Sequence, residues 1–437
     1  MPAARRRAAA ERGGGRGARP HARRRPRRRR RGRRTARRAR AARGREGRGG
    51  RRLRGLARGR RARTGAARRR RRHDGRGRQL RRRLPRRLAR GDAGRRGRAP
   101  RRDRGLALDP RRRGHRRPGH ARGGRGGAGR VITCLGLSPA LDVTYGVGAL
   151  VVGGIHRPQW TLALPGGKSL NVARAVRALG GEARAIAPLG GRRGAGIADA
   201  LAADGVELVV VPTREETRMC VSVVDAATGE ITEIYEHPRE LPDASWHGVA
   251  DAVEGVGSGW LAVSGSVPAA RAAALGELLA DAEARGVRLA LDLRGEALAE
   301  TLARTRPALV KINRAEAEET VGPGPLASLA AGLRARGAAV AVVTDGASGS
   351  LGADASGAWR VTSPPAGSYT VGAGDSFLAG LLLAIDSGRP LPEALRAAAA
   401  VAAANTLRPG AAVWDAGQLP RLADGLRVEP APGASRA

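Results

Sequence analysis

The chain has 437 residues with 83 Lys and Arg against 38 Asp and Glu, a formal net charge of +45. That excess lies in one segment: residues 1–130 hold 56 Arg, no Lys and 6 acids, net +50, leaving −5 (45 − 50) for the rest, so the basic balance says nothing about the partner of the remainder. Cys134 and Cys220 are too few for a disulfide framework and lack the short paired spacing of a zinc site; with no long apolar run and no apolar core to a secretory signal, a cytoplasmic protein without a membrane partner is expected.

Taken from the start, residues 1–130 repel themselves and have no apolar face to bury, so disorder is expected there. Arginines of this kind neutralise nucleic-acid phosphates, but no aromatic residue interleaves them for base stacking. An organellar targeting segment would be Ser-rich, and this stretch has no Ser. The abrupt change at Val131 favours a third reading, upstream sequence translated ahead of a later start, and makes nucleic acid an unlikely partner for the chain.

From Val131 onward short β-like runs alternate with Ala- and Leu-rich helical patterns. Strands are predicted at Val131–Leu135, Ala183–Ala187, Val206–Val211, Trp260–Val263, Val287–Leu291, Ala308–Lys311 and Ala339–Val343. Helices are predicted at Ser169–Leu179, Gly194–Ala203, Ala269–Ala284, Leu326–Arg336, Gly374–Ile385 and Pro392–Leu407. The alternation implies an α/β, doubly wound, mostly parallel sheet with helices on both faces and ligands at the carboxyl ends of its strands. Two stretches, about 141–164 and 213–236, break the alternation; Val221, Val223, Ile231 and Ile234 around Ala227, Thr228 and Gly229 read as a hairpin. They are expected to form a small β lid, which would keep water from a phosphoryl donor. The domain is drawn as 131–425 and residues 426–437 as a flexible tail.

The chemistry concentrates in two glycine-rich turns. Thr370, Val371, Gly372, Ala373, Gly374, Asp375 and Ser376 lead into an apolar helix, so backbone N–H groups at its positive end face outward, suited to charge on a transferred phosphoryl group. Asp375 in the same turn is placed as a general base, although Asp also caps helices at such positions. Pro165, Gly166, Gly167, Lys168 and Ser169 make the second turn, where glycines admit a ligand to the backbone and Lys168 and Asn171 supply a cation and an amide. Lys168 and Lys311 are the only lysines of the chain, which argues against mere solvated surface. Neither turn is a Walker A loop.

These turns, in this order and about 200 residues apart, resemble those of the ribokinase and phosphofructokinase-B superfamily of carbohydrate kinases. The resemblance runs from about Ile132 to Leu422 and is nearest the branch of 1-phosphofructokinase, tagatose-6-phosphate kinase and the minor 6-phosphofructokinase. Leu137–Asp142 is similar to that branch's N-P-A-x-D, Val263–Pro268 to V-S-G-S-L-P, and Leu309–Glu316 to L-V-K-P-N-x-x-E.

The resemblance implies a ribokinase-like fold and an ATP-dependent, Mg²⁺-assisted phosphotransferase acting on an alcohol group of a sugar phosphate, of the fructose 1-phosphate, fructose 6-phosphate or tagatose 6-phosphate class. A kinase of an unphosphorylated sugar or nucleoside is the alternative. By position, Asp142, Gly166, Gly167 and Asn171 would hold sugar hydroxyls, Lys168 and Arg218 would meet an acceptor phosphate, and Asp375 with Gly372, Ala373 and Gly374 would be base and anion hole. Asn313 and Glu316 would orient Mg²⁺ and its waters; Lys311, Asn313, Thr344, Gly346, Gly349 and Asn405 would line the ATP site. In relatives the lid can serve as a homodimer surface. Ser138, Ser169, Ile312, Tyr369 and the Leu293 after Asp292 depart from the family's pattern; the first two adjoin the sugar pocket and leave the acceptor more open than the reaction.

Overall fold

The computed structural model describes residues 131–362 and 367–431. The expectation for residues 1–130 lies outside them. In chain order the chain forms β1 (Ile132–Leu135), β2 (Ala140–Val147), β3 (Trp160–Gly166), α1 (Lys168–Ala178), β4 (Ala183–Leu189), α2 (Gly191–Ala203), β5 (Glu207–Pro212), β6 (Met219–Asp225) and β7 (Ile231–Tyr235). Then follow α3 (Asp243–Glu254), β8 (Trp260–Ser264), α4 (Ala272–Ala284), β9 (Arg288–Asp292), α5 (Gly295–Arg304), β10 (Leu309–Asn313), α6 (Arg314–Val321), α7 (Leu326–Ala335) and β11 (Val340–Thr344). The last part holds β12 (Ser350–Asp354), β13 (Gly357–Thr362), α8 (Ala373–Asp386), α9 (Leu391–Asn405), α10 (Leu419–Asp424) and β14 (Arg427–Pro430).

Ten strands form one sheet in the order β14-β13-β12-β11-β10-β9-β8-β1-β4-β5. From β11 to β5 every pair is parallel, and β12, β13 and β14 continue antiparallel. Period-2 alternation sends the strand side chains to two different cores. Leu135, Leu261, Val263, Leu289 and Leu291 meet α3, α4, α5 and α7 on one face. Cys134, Ala185, Ala262 and Ala290 meet α1, α8 and α9 on the other. The small residues on this second face let its helices lie close to the sheet. The same economy recurs between α8 and α9, where a Cβ on Gly380 would stand 3.1 Å from the Ala398 Cα. The two helices therefore cross nearly backbone to backbone and fix the direction in which the start of α8 points.

The predicted strands and helices of the alternating pattern are all present, with ends shifted by a few residues, and α/β with a doubly wound sheet is the observed class. Of the segment read as a flexible tail, residues 432–437 lie outside the described residues, and the rest differs: Leu426 is buried and residues 427–430 pair with β13, because β13 would otherwise leave its backbone groups unpaired at the sheet edge.

The expected small sheet is present in the order β3-β2-β6-β7. β6 and β7 form the hairpin, turning where the Asp225 carboxylate accepts from Ala227 N at 2.8 Å. β2 and β6 run parallel, so the sheet is mixed. No helix among the described residues is long and apolar enough to cross a membrane.

Candidate active site

The carboxyl ends of the parallel strands lie side by side: Ser264 of β8 stands beside Asp292 of β9, and Asn313 of β10 beside Thr344 of β11. Both glycine-rich turns face this edge, because α1 and α8 pack against one another.

At the start of α8, Gly372 caps the helix in a left-handed conformation with φ 77°. A Cβ there would stand 2.2 Å from the Ala411 Cβ, so the position requires glycine on both conformational and steric grounds. Ala373 N donates to Thr370 O and Ser376 N to Gly372 O. The N–H groups of Gly374 and Asp375 find no acceptor among the described residues, leaving two donors at the positive end of a 14-residue helix. Lys311 adds a full charge there, since a Cβ on Gly374 would lie 3.0 Å from the Lys311 Nζ.

Asp375 is buried, and Asn171 Nδ2 donates to its Oδ2 at 2.9 Å. Capping, the bland alternative for Asp375, is not what its side chain does: the helix start has no side-chain cap. Burial pushes its carboxyl up to about 6, with the charge of Asp292 adding to the shift and Lys168, Lys311 and Asn171 opposing it. A carboxylate near that value is still ionised at neutral pH and basic enough to take a proton from a hydroxyl in the transition state.

On the lid side, Asp142 of β2 lies over Gly166, whose missing Cβ would overlap the Asp142 carboxylate at 2.0 Å from Cγ. Burial first, then the charge of Asp375, pushes the Asp142 carboxyl up to about 7. Asp142, Gly166, Gly167, Asn171 and Asp375 are thus brought together.

Lys168 goes elsewhere than expected. Its Nζ donates to Asp292 Oδ1 at 2.8 Å and to Glu316 Oε1 at 3.3 Å, whereas the Arg218 guanidinium donates to Ser138 O and Glu236 O, both at 3.0 Å. The two cations therefore stand in different surroundings. Lys311 Nζ takes the other oxygen of Asp292 at 2.8 Å. The two lysines outweigh the burial of Asp292, which by itself raises a carboxyl, and hold its pKa below the usual carboxylate value. Asp292 was not picked out from sequence as a site residue; the signal available was that two lone lysines near a buried anion hole need a buried counter-charge.

Asn313 and Glu316 cap α6 reciprocally: Glu316 N donates to Asn313 Oδ1 at 2.9 Å and Asn313 N to Glu316 Oε2 at 3.0 Å. Thr344 sits at the end of β11, and the turn after it contains Gly346 and Gly349, both at positive φ. Asn405, expected at the nucleotide, is bonded within the protein. It is fully buried, donates to Val371 O at 2.8 Å, and accepts from Ser376 Oγ at 3.0 Å and Ala412 N at 2.8 Å. Its amide is spent on bracing the Thr370–Ser376 turn. Arg174, unnoticed in the sequence, holds the facing loop by donating to Ala411 O at 2.9 Å.

A cavity of about 150 Å³ lies where the chain enters and leaves the small sheet, lined by Ser138, Thr213, Arg218, Arg239 and Pro242 among others. The larger cavity, about 590 Å³ between α5, α6 and α7, contains none of these site residues.

The model of pfkB family carbohydrate kinases matches residues 145–415. The ATP-dependent 6-phosphofructokinase isozyme 2 of Escherichia coli is 33% identical over 290 residues, 64% of this chain and 94% of that one. Its namesake in Mycobacterium tuberculosis is 30% identical over 320 residues, 70% of this chain and 91% of that one. The 1-phosphofructokinase of Rhodobacter capsulatus is 32% identical over 281 residues, 62% and 88%. Among solved structures, Escherichia coli phosphofructokinase-2 in complex with fructose-6-phosphate has a TM-score of 0.63 at 30% identity, covering 68% of this chain and 98% of that one.

Proposed function

Because the chain belongs to the pfkB family of carbohydrate kinases, we propose that it transfers the γ-phosphoryl group of ATP to a hydroxyl of a sugar phosphate, yielding a bisphosphate and ADP. The observation that carries this reading is the buried Asp375 carboxylate held by Asn171 beside two helix-start amides that find no acceptor among the described residues.

The acceptor hydroxyl forms its bond to the γ-phosphorus as the bond to the bridging oxygen of ADP breaks, and its proton passes to Asp375. Gly374 N, Asp375 N and the Lys311 ammonium stabilise the charge that spreads over the transferring group. Asp142 and the Gly166–Gly167 backbone orient the sugar. Thr344, Gly346 and Gly349 border the nucleotide. Asn405 acts on the reaction through the turn it braces. The small sheet excludes water from the donor.

Mg²⁺, when bound, supplies positive charge to the phosphates of ATP. Among the described residues no group of three His, Cys, Asp or Glu side chains converges as a metal site. Asn313 and Glu316, already tied to one another, suit contact through water, with the two carboxylates Asp292 and Glu316 as the hard oxygen donors such an ion takes.

Arg218 is the acceptor-phosphate contact in this reading, at the wall of the lid-root cavity. Charge-assisted bonds of this kind contribute about 1.5–3 kcal/mol. ADP release by the full-length chain with Mg²⁺ and ATP, compared over fructose 1-phosphate, fructose 6-phosphate, tagatose 6-phosphate, free hexoses and nucleosides, tests the substrate class. One phosphosugar is expected to dominate, and Arg218→Ala is expected to raise its KM by roughly tenfold or more, with little change for a free hexose. Equal effects on both, or a preference for neutral acceptors, would reject the phosphate contact and favour the kinase of an unphosphorylated acceptor.

The outer face of the small sheet exposes Ile234, and its β2–β3 loop exposes Val151, Val152 and Ile155. We assign this apolar surface to contact with a second copy of the chain. Sedimentation velocity should give a dimer that Ile234→Glu dissociates; a monomeric wild type would remove the assignment.

A further inference from the structure

Lys168 is more open to solvent than Lys311. Both ammonium groups lie 2.8 Å from Asp292, one on each oxygen, but the Lys311 side chain is 5% exposed and that of Lys168 38%. Lys168 also reaches Glu316 Oε1 at 3.3 Å. Thus two carboxylates, from the end of β9 and the first turn of α6, converge on a single half-exposed cation delivered by a third element, α1. The carboxylate pair is the part of the donor-side edge with oxygen chemistry suited to a hydrated divalent cation. An ammonium within hydrogen-bond distance of both carboxylates repels a second cation drawn to the same oxygens.

We propose that Lys168 is an exchangeable internal counter-ion. In the ligand-free chain it neutralises Asp292 and Glu316. It yields that place when metal and nucleotide load together, and its ammonium turns to the phosphoryl group in transit. Lys311, buried and fixed, keeps Asp292 compensated in both arrangements. The device rests on the kinase reading and adds to it: Lys168 serves the donor side, and by holding the carboxylates it keeps free metal from loading without nucleotide. Lys168 reaches these carboxylates from the residue after Gly167, in the turn that ends the lid strand β3, so its exchange links the two halves of the site.

The test uses Mn²⁺ alone as probe, its free fraction measured by electron paramagnetic resonance with the full-length chain and no nucleotide. Lys168→Met is expected to bind Mn²⁺ at least about tenfold more tightly than the wild type, through loss of a like charge a few ångströms away. Lys168→Gln, close in shape, is expected to behave the same, and adding Glu316→Gln to Lys168→Met to cancel the gain. Unchanged or weaker Mn²⁺ binding in both Lys168 variants, or no binding by any of the proteins, overturns the proposal. Because this readout needs no turnover, a chain that phosphorylated no acceptor would defeat the kinase reading while leaving the Mn²⁺ comparison intact.

Discussion

Asp375→Asn is expected to lower kcat by two to four orders of magnitude, the range a positioned general base supplies, while the dissociation constant for ATP stays within about threefold. The substitution keeps the shape of the side chain and its contact with Asn171, so the loss is chemical. Titration gives the same residue a second signature. The Asp375 carboxyl is raised to about 6, and the base works only when deprotonated. Activity is therefore present above that pH and lost as pH falls through it. Asp142, raised to about 7 with Asp375 among the causes, titrates in the same window, so the acid limb of kcat/KM for the acceptor belongs to the pair. Turnover of wild type and variant from pH 5 to 9 decides the matter: an Asp375→Asn rate within tenfold of wild type would move the base elsewhere.

Gly372→Ala is the second substitution with a large expected effect. A non-glycine residue in the left-handed region costs about 1–2 kcal/mol, and here the new Cβ would also collide with Ala411 at 2.2 Å. Either the loop at Ala411 or the turn must shift, and the Gly374 and Asp375 amides shift with it. Loss of aim at one such donor costs roughly 100- to 1,000-fold in kcat. Gly388 at the far end of α8 provides the control, since it has φ 79° and nothing within 4 Å of a built Cβ. Gly388→Ala is expected to lower Tm by a few degrees and leave kcat unchanged, whereas Gly372→Ala lowers both. Matching kinetics in the two variants would take the anion hole out of the mechanism.

The parts of the fold and site written in local sequence are those whose physics is local. The parallel strands and helices α1, α2, α4, α7, α8 and α9 follow from apolar runs and 3.6-residue periodicity, and the α8 turn from glycines ahead of an apolar stretch, whereas α3, α5 and α6 are not in that reading. The antiparallel strands β12, β13 and β14 escaped detection because they carry polar and small side chains in place of an apolar run. Their pairing is decided by an open sheet edge, which no short window contains. The tail was misjudged for the same reason. In the site, Asp375 and the Gly166–Gly167 turn were legible. The place of Lys168 was not, since it depends on a carboxylate 124 residues away. The partners of Asn405 at Val371 and Ser376 arise only when α9 packs beside α8.

The strand β3 ends at Gly166 and α1 begins at Lys168, with Gly167 alone between them. Asn171, one turn along that helix, holds the Asp375 carboxylate. A cover and a reactive group joined through one pivot behave as a single lever: tilting the cover retunes the aim of the base. Substitutions in β3 that touch no ligand should therefore register in turnover as well as in affinity, and an incompletely closed cover would stand as a misaligned catalyst, idle toward water.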